Sequence, residues 1–347
     1  MTLPRLPRLL APLLFASALF AGAAAAADFA VLQRSALGGP GGWDYLSLDA
    51  PAHRLYIARN DRVLVVNTET DQLVATIPGM DGAHGIALAP NWDRGFVSNG
   101  RGNSVTQFSL ATLKPVREIP IKGDGPDALV YDPGTRRVFV FNGRSHDASV
   151  LDAHSGKTLA TIALPGKPEF AVVNEHAVVF VNIEDTAQLA RIHTAPAKMT
   201  ALWKLVDCTE PTGLALDTRN HRLFSVCLNE RMAVTDALDG HHVATVPIGK
   251  GPDGVAFDAQ RGLVFSTNGE DGTLTVVHQD DADHYSVVAN VPTQASARTL
   301  ALDPKTHRVY TVAAEFAPAP AATATEPHPR RSVIDGTFTL LAIGEKP

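Results

Sequence analysis

The chain is predicted to be an all-β, seven-bladed β-propeller of four-stranded antiparallel blades, closed by the N-terminal strand pairing in the last blade. Three observations predict it. First, a turn residue recurs about every 42 residues, at Asp49, Ala89, Asp132, Asn174, Asp217, Asp258 and Asp303, with Ala89 and Asn174 in place of the acid; that is the period a four-stranded blade requires. Second, an aromatic follows most of these anchors at one fixed spacing: Tyr56, Phe96, Phe139, Phe224, Phe265 and Tyr310. A ring held at one strand position is suited to packing blade against blade, so these rings are assigned to the core. Third, the last unit lacks one strand and the start of the chain offers one.

The elements follow in order. Arg5 and Arg8 precede an apolar stretch, Leu9 to Ala21, that is too short to span a bilayer, and Ala23 to Ala27 offers an Ala-x-Ala cleavage site. Residues 1–27 therefore read as a signal peptide and the chain as exported to the periplasm, an uncleaved anchor being the alternative. Residues 28–347 read as one domain. Phe29 to Leu37 is the closing strand, and pairing it with the last blade would leave no free sheet edge.

One unit is legible in full. Ala128 to Tyr131 is a short inner strand, Pro133 to Thr135 a turn, and Arg137 to Asn142 a strand rich in Val and Phe. Ala148 to Asp152 and Thr158 to Ile162 complete it. The outer strand recurs as Leu73 to Ile77 and His242 to Val246. The fourth unit is shorter after Asn174 and uses Val179-Phe180-Val181-Asn182. In the seventh, the Pro- and Ala-rich stretch 317–331 interrupts strands two and three and reads as an extended loop, either a disordered insertion or a strap with Arg330 and Arg331 over an acidic rim. Asp49, Asp132, Asp217, Asp258 and Asp303 precede hairpin turns and are assigned to structure.

Cys208 and Cys227 are the only cysteines. They fall at the same edge of a hairpin turning near Asn220, and in an oxidising compartment a disulfide is favoured over two free thiols. The net charge of −6 becomes −8 without residues 1–27, which disfavours nucleic-acid binding, since that relies on neutralising phosphates. Neither Gly-x-Ser-x-Gly nor His-Glu-x-x-His occurs.

Five residues before each anchor lies a position at the mouth of the central channel: Asp44, His84, Asp127, Glu169, Thr212, Asp253 and Arg298. The loops between strands two and three add Asn99, Asn142, Glu184, Asn229, Glu230, Asn268, Glu270 and Glu315. Two readings stand side by side. In one, the ring binds a cation or a polar ligand with basic groups, and two or three neighbours such as Asp44, His84 and Asp127 hold a divalent metal. In the other, favoured on its repetition, the Asp of the Gly-Pro-Asp lead-in simply caps a turn.

Phe96-Val97-Ser98-Asn99, Phe139-Val140-Phe141-Asn142 and Phe265-Ser266-Thr267-Asn268 are variants of Tyr-Val-Thr-Asn. With the Gly-Pro-Asp lead-ins at 125–127 and 251–253, the chain resembles the YVTN-repeat, YncE-like family of periplasmic propellers. Arg59, Cys227 and Ala313 replace the motif's Asn in units one, five and seven. The resemblance implies a binding or accessory protein, often tied to outer-membrane transport or redox systems. The expected function is thus a non-enzymatic, monomeric binding or scaffold protein that engages a small molecule, or a periplasmic or outer-membrane protein partner, at the acidic mouth. The alternative is a metal-dependent, lactonase- or hydrolase-like enzyme at the same place. A quinoprotein dehydrogenase is disfavoured, because three Trp supply little of the aromatic content such sites use.

Overall fold

A computed structural model describes residue 1, residues 28–321 and residues 331–346. Residues 2–27 of the expected signal peptide and the centre of the Pro-rich insertion, with Arg330, lie outside the described residues. Those described fold almost wholly as antiparallel β-sheet around a central axis, with two short 3-10 helices, Pro90–Trp92 and Glu184–Thr186. No described helix is long and apolar enough to cross a membrane.

The strands form six sheets, so the expectation of seven separate blades is corrected to six. Five sheets have four strands and one has six. The six-stranded sheet carries the first two sequence repeats, because Arg54–Asn67 and Gln72–Ala89 each run on through two strand positions. The cause is local. Strands two and three of the first repeat are linked only by a tight bend at Asn60 (φ 40°) and Asp61, and Asn60 pairs with Ala83 of the next repeat. The connection between the repeats stays extended, with Gly79 and Gly82 at φ 90° and 78°, a region open to glycine at no steric cost. Elsewhere the units separate as expected: Pro126–Asp132, Arg137–Asn142, Asp147–Asp152 and Thr158–Ala163 form one sheet.

The ring is closed by the first described strand. Phe29–Ala36 pairs antiparallel with Thr339–Glu345, from Phe29 opposite Glu345 to Ala36 opposite Thr339. Leu37 continues the contact through its N–H to Phe338 O at 2.9 Å. Innermost strands meet in turn round the axis, and Leu300–Leu302 contacts Leu46–Asp49 to complete the circle.

The core lies between repeats rather than within them. Phe139 packs with Val179 and Val181 of the following repeat, Phe224 with Val255 and Val264, and Tyr310 of the last repeat with Leu55 and Ile57 of the first. The six spaced aromatics are at most 1 % exposed, as core residues should be. Phe180 takes the same role in the shortened unit.

The anchor acids build turns. Asp132 accepts from Gly134 N and Thr135 Oγ1, Asp217 from Arg219 N, Asp258 from Gln260 N and Asp303 from Lys305 N. Asn174 replaces them by accepting from His176 N and Val178 N. The Asn of the Tyr-Val-Thr-Asn-like tetrapeptides is also structural, which corrects the placing of Asn99, Asn142 and Asn268 among mouth groups. Each is buried and donates across its hairpin: Asn99 to Ser104 and Thr106, Asn142 to Asp147 and Ser149, Asn268 to Thr273 and Thr275.

Where the Asn is replaced, other chemistry ties the same corner. Cys227 is bonded to Cys208, with Cα atoms 5.3 Å apart. Arg59 is fully buried, with its guanidinium 3.6 Å above the Phe338 ring. It donates to the carbonyls of Gly39, Pro40 and Gly41 at 2.8–2.9 Å, clamping the segment that leads out of the closing strand.

Candidate functional site

The mouth residues are turned inward by a repeated irregularity. Pairing between the inner and second strands slips between Ala83 and Ile86, Pro126 and Leu129, Pro168 and Ala171, Pro211 and Leu214, and Pro252 and Gly254. Each slip contains one mouth residue: His84, Asp127, Glu169, Thr212 or Asp253. A bulge bends the strand and re-aims a side chain. Neighbouring repeats are tied at the same level: Ser98 Oγ donates to Asp127 O, Thr267 Oγ1 to Arg298 O, and Thr299 Oγ1 to Asp44 O at 2.8 Å. The backbones come so close that a Cβ on Gly85 or Gly213 would fall 2.6 Å from the carbonyl oxygen of Asp127 or Asp253.

Six of the seven mouth residues bear charges, five of them linked by ion pairs and Glu169 paired in a second set. His84 Nδ1 lies 2.5 Å from Asp44 Oδ2 and 3.7 Å from Asp127 Oδ1. Arg298 Nη1 lies 2.5 Å from Asp253 Oδ2, and its Nη2 lies 3.5 Å from Asp44 Oδ1. Lys167 Nζ, a residue missed in sequence, pairs with Glu169 at 3.2 Å and also with Glu184. Thr212 stands apart: buried at 7 % exposure, it donates to Pro252 O at 3.0 Å.

None of these carboxylates caps a turn. Among the described residues no backbone N–H donates to Asp44, Asp127, Glu169 or Asp253, and Asp127 Oδ1 is buried with no hydrogen-bond partner. The turn-cap reading of the Gly-Pro-Asp lead-in therefore fails at both Asp127 and Asp253.

The acids repel one another within a partly dry setting. Burial, then the Asp44 charge, pushes the Asp127 carboxyl up to about 7. Burial followed by the Asp127 charge raises Glu169 well above its ordinary 4.5. Asp253 is raised by burial despite Arg298 beside it. For His84, burial works downward, but the Asp44 hydrogen bond and the Asp127 charge outweigh it and leave the imidazole raised. Lys167 and Arg298 are likewise raised against burial by their carboxylate neighbours.

The mouth has a floor that was not foreseen. Tyr45 follows Asp44 in the first repeat and packs against Phe170 of the fourth, ring centroids 5.1 Å apart and planes tilted by 53°. It is 7 % exposed, and burial with the charges of Glu169, Asp127, Asp44 and Asp253 raises its hydroxyl well above 10.0. The signal lay in the residues just after the mouth positions, where Tyr45 and Phe170 stand among Gly, Ala and Thr.

Beside the ring, between the loops of the last two repeats, a cavity of about 1200 Å³ opens next to Asp253 and Arg298 and includes Glu270, Glu315, Trp43 and Phe316 in its wall. Asn229 instead ties its loop to the one entering Pro211–Asp217, donating to Asp207 O, and Glu230 accepts from Ile248 N through its carbonyl. Arg331 also borders the cavity, but it closes the neck of the Pro-rich loop by donating to Phe316 O and Ala317 O. The His241–His242 pair lies in an outer turn away from the mouth, His241 being exposed and paired with Asp239.

No protein-family model matches the chain, and no curated protein matches it; neither result assigns it to the family its tetrapeptides resemble. Solved structures do match. The fold is similar to that of Kuenenia stuttgartiensis hydrazine synthase, with TM-score 0.69 and 15 % identity over 78 % of this chain and 92 % of that one. The RRP9 WD40 repeats match with TM-score 0.76 and 9 % identity over 92 % and 99 %. U3-55K matches with TM-score 0.74 and 9 % identity over 90 % and 98 %. At these identities the likeness shows a β-propeller and nothing about chemistry.

Proposed function

We propose that this protein is an exported, periplasmic, non-enzymatic binding or scaffold propeller whose acidic mouth engages a positively charged small molecule or a basic segment of a partner. The observation that carries the reading is the convergence of Asp44, Asp127, Glu169, Asp253 and Glu184, where burial first and then mutual repulsion raise Asp127 and Glu169. Among the described residues, Arg298, Lys167 and His84 are the basic groups paired with them. A set of buried like charges is costly to keep. A cationic ligand would relieve that cost, whereas a phosphate backbone would add to it. The Tyr45 floor favours a ligand that seats from one face over one that passes through.

The test is calorimetric titration with spermidine, at low and at raised NaCl, with citrate as the anionic control. Spermidine should bind, weaken with salt, and lose about tenfold in affinity in Glu169→Gln, roughly one missing charge contact of 1.4 kcal/mol. Absence of binding, or equal affinity in the variant, would sink the reading.

A further inference from the structure

We propose that Asp44, His84 and Asp127 form a binding site for one divalent transition-metal ion of the zinc class. The inference rests on the reading of the mouth as a cation site and narrows it to one corner of the ring. The three side chains come from three consecutive repeats, and their donor atoms all lie within 4.8 Å of one another. One imidazole nitrogen with two carboxylate oxygens is a transition-metal donor set; calcium and magnesium ask for more oxygens and no nitrogen.

Three details make this corner a built site. Asp127 Oδ1 is buried and accepts no hydrogen bond, so an oxygen has been taken from water without a donor in return. Asp44 is oriented from behind: its Oδ1 faces Arg298, which is itself held by Asp253 and by Trp43 O, leaving Oδ2 toward His84. Supports of this kind fix ligand orientation. The imidazole is seated by Gly100, where an added Cβ would fall 2.6 Å from His84 Cδ2 and 2.7 Å from Nε2. The ring's outer edge therefore lies on backbone, and Nδ1 is the nitrogen presented to the carboxylates. Three protein ligands leave further metal positions for water or for a group of the bound partner.

The same three side chains can instead be a closed ion pair, with a proton on His84 doing the work of the metal. Tag-free full-length protein, stripped with EDTA, separates the two by calorimetric titration with Zn²⁺ and by visible absorption on adding Co²⁺. The expected result is one equivalent of Zn²⁺, preference over Ca²⁺ and Mg²⁺, and a Co²⁺ ligand-field band. Affinity should fall at least tenfold in His84→Gln and in Asp127→Asn, with Glu175→Gln, in the exposed turn after Asn174, unchanged. A wild-type crystal soaked in Zn²⁺ should show a zinc-edge anomalous peak among the three side chains, which needs no variant to fold. Failure of the wild type to take up Zn²⁺, uptake unchanged in both variants, or a peak only elsewhere would overturn the proposal. If spermidine still binds while Zn²⁺ does not, the metal site fails and the cationic mouth stands; if neither binds, both fall.

Discussion

At the scale of single residues, the molecule separates what repeats from what does not. The anchor acids, the spaced aromatics and the Asn of the tetrapeptides were legible as repeated positions, and each has a repeated job. The mouth positions were legible for the same reason, since aligning the repeats places Asp44 to Arg298 at equivalent points. Residues that act outside the register were not. Lys167 precedes its mouth position by two, and Tyr45 follows its own by one, so alignment on the anchor passes over both. Arg59 was seen only as a departure from Asn; its three carbonyl partners come from 39–41, a segment with no repeat counterpart. Arg59→Ala should remove the clamp and cost about 2–4 kcal/mol, read as a fall in the denaturation midpoint. A midpoint equal to wild type would contradict the role. Glu169 makes a prediction of opposite sign to the usual carboxylate. Its folded pKa lies above the ordinary 4.5, so the folded state holds the proton more tightly and stability falls as pH rises from 4.5 through the raised value. Melting temperatures in EDTA should decline over that interval, and Glu169→Gln, which cannot ionise, should flatten the decline. Equal slopes in the two proteins would refute it.

At the scale of elements, strands were easier to read than their grouping into sheets. Val-, Phe- and Thr-rich runs between turn residues marked strands within a residue or two, because side-chain alternation is local. Whether two units share a sheet depends on one backbone pair, Asn60 with Ala83, and on Gly79 and Gly82 keeping the link extended, which composition does not encode. The bulges that aim the mouth residues were equally invisible, being a property of register between strands. The hairpin argument for Cys208 and Cys227 needed only the turn near Asn220, and the structure bonds the two. The closing strand has the largest consequence of any single element. It covers the edge of Thr339–Glu345 and sets Phe29 against Phe265, so removing residues 28–37 should lower the melting temperature of the whole protein and increase aggregation through the bared edge. A truncated chain that melts with the full one would show the strand to be dispensable.

At the scale of the whole molecule, a ring packed between repeats leaves its central axis as the place where every unit contributes one side chain. Symmetry makes the scaffold, and departures from symmetry make the chemistry: one His, one Glu, one Thr and one Arg stand where other repeats place Asp. Fold comparison reaches the ring but not these departures, which is why structures at 9–15 % identity say nothing of the ligand. The central claim is that the mouth is built to hold positive charge. Anomalous diffraction from crystals soaked in cobalt(III) hexaammine, a compact cation that presents only N–H donors, tests it most directly. The strongest cobalt peak should lie within the ring bounded by Asp127, Glu169 and Asp253; an empty mouth with cobalt bound only on the outer surface would contradict the account.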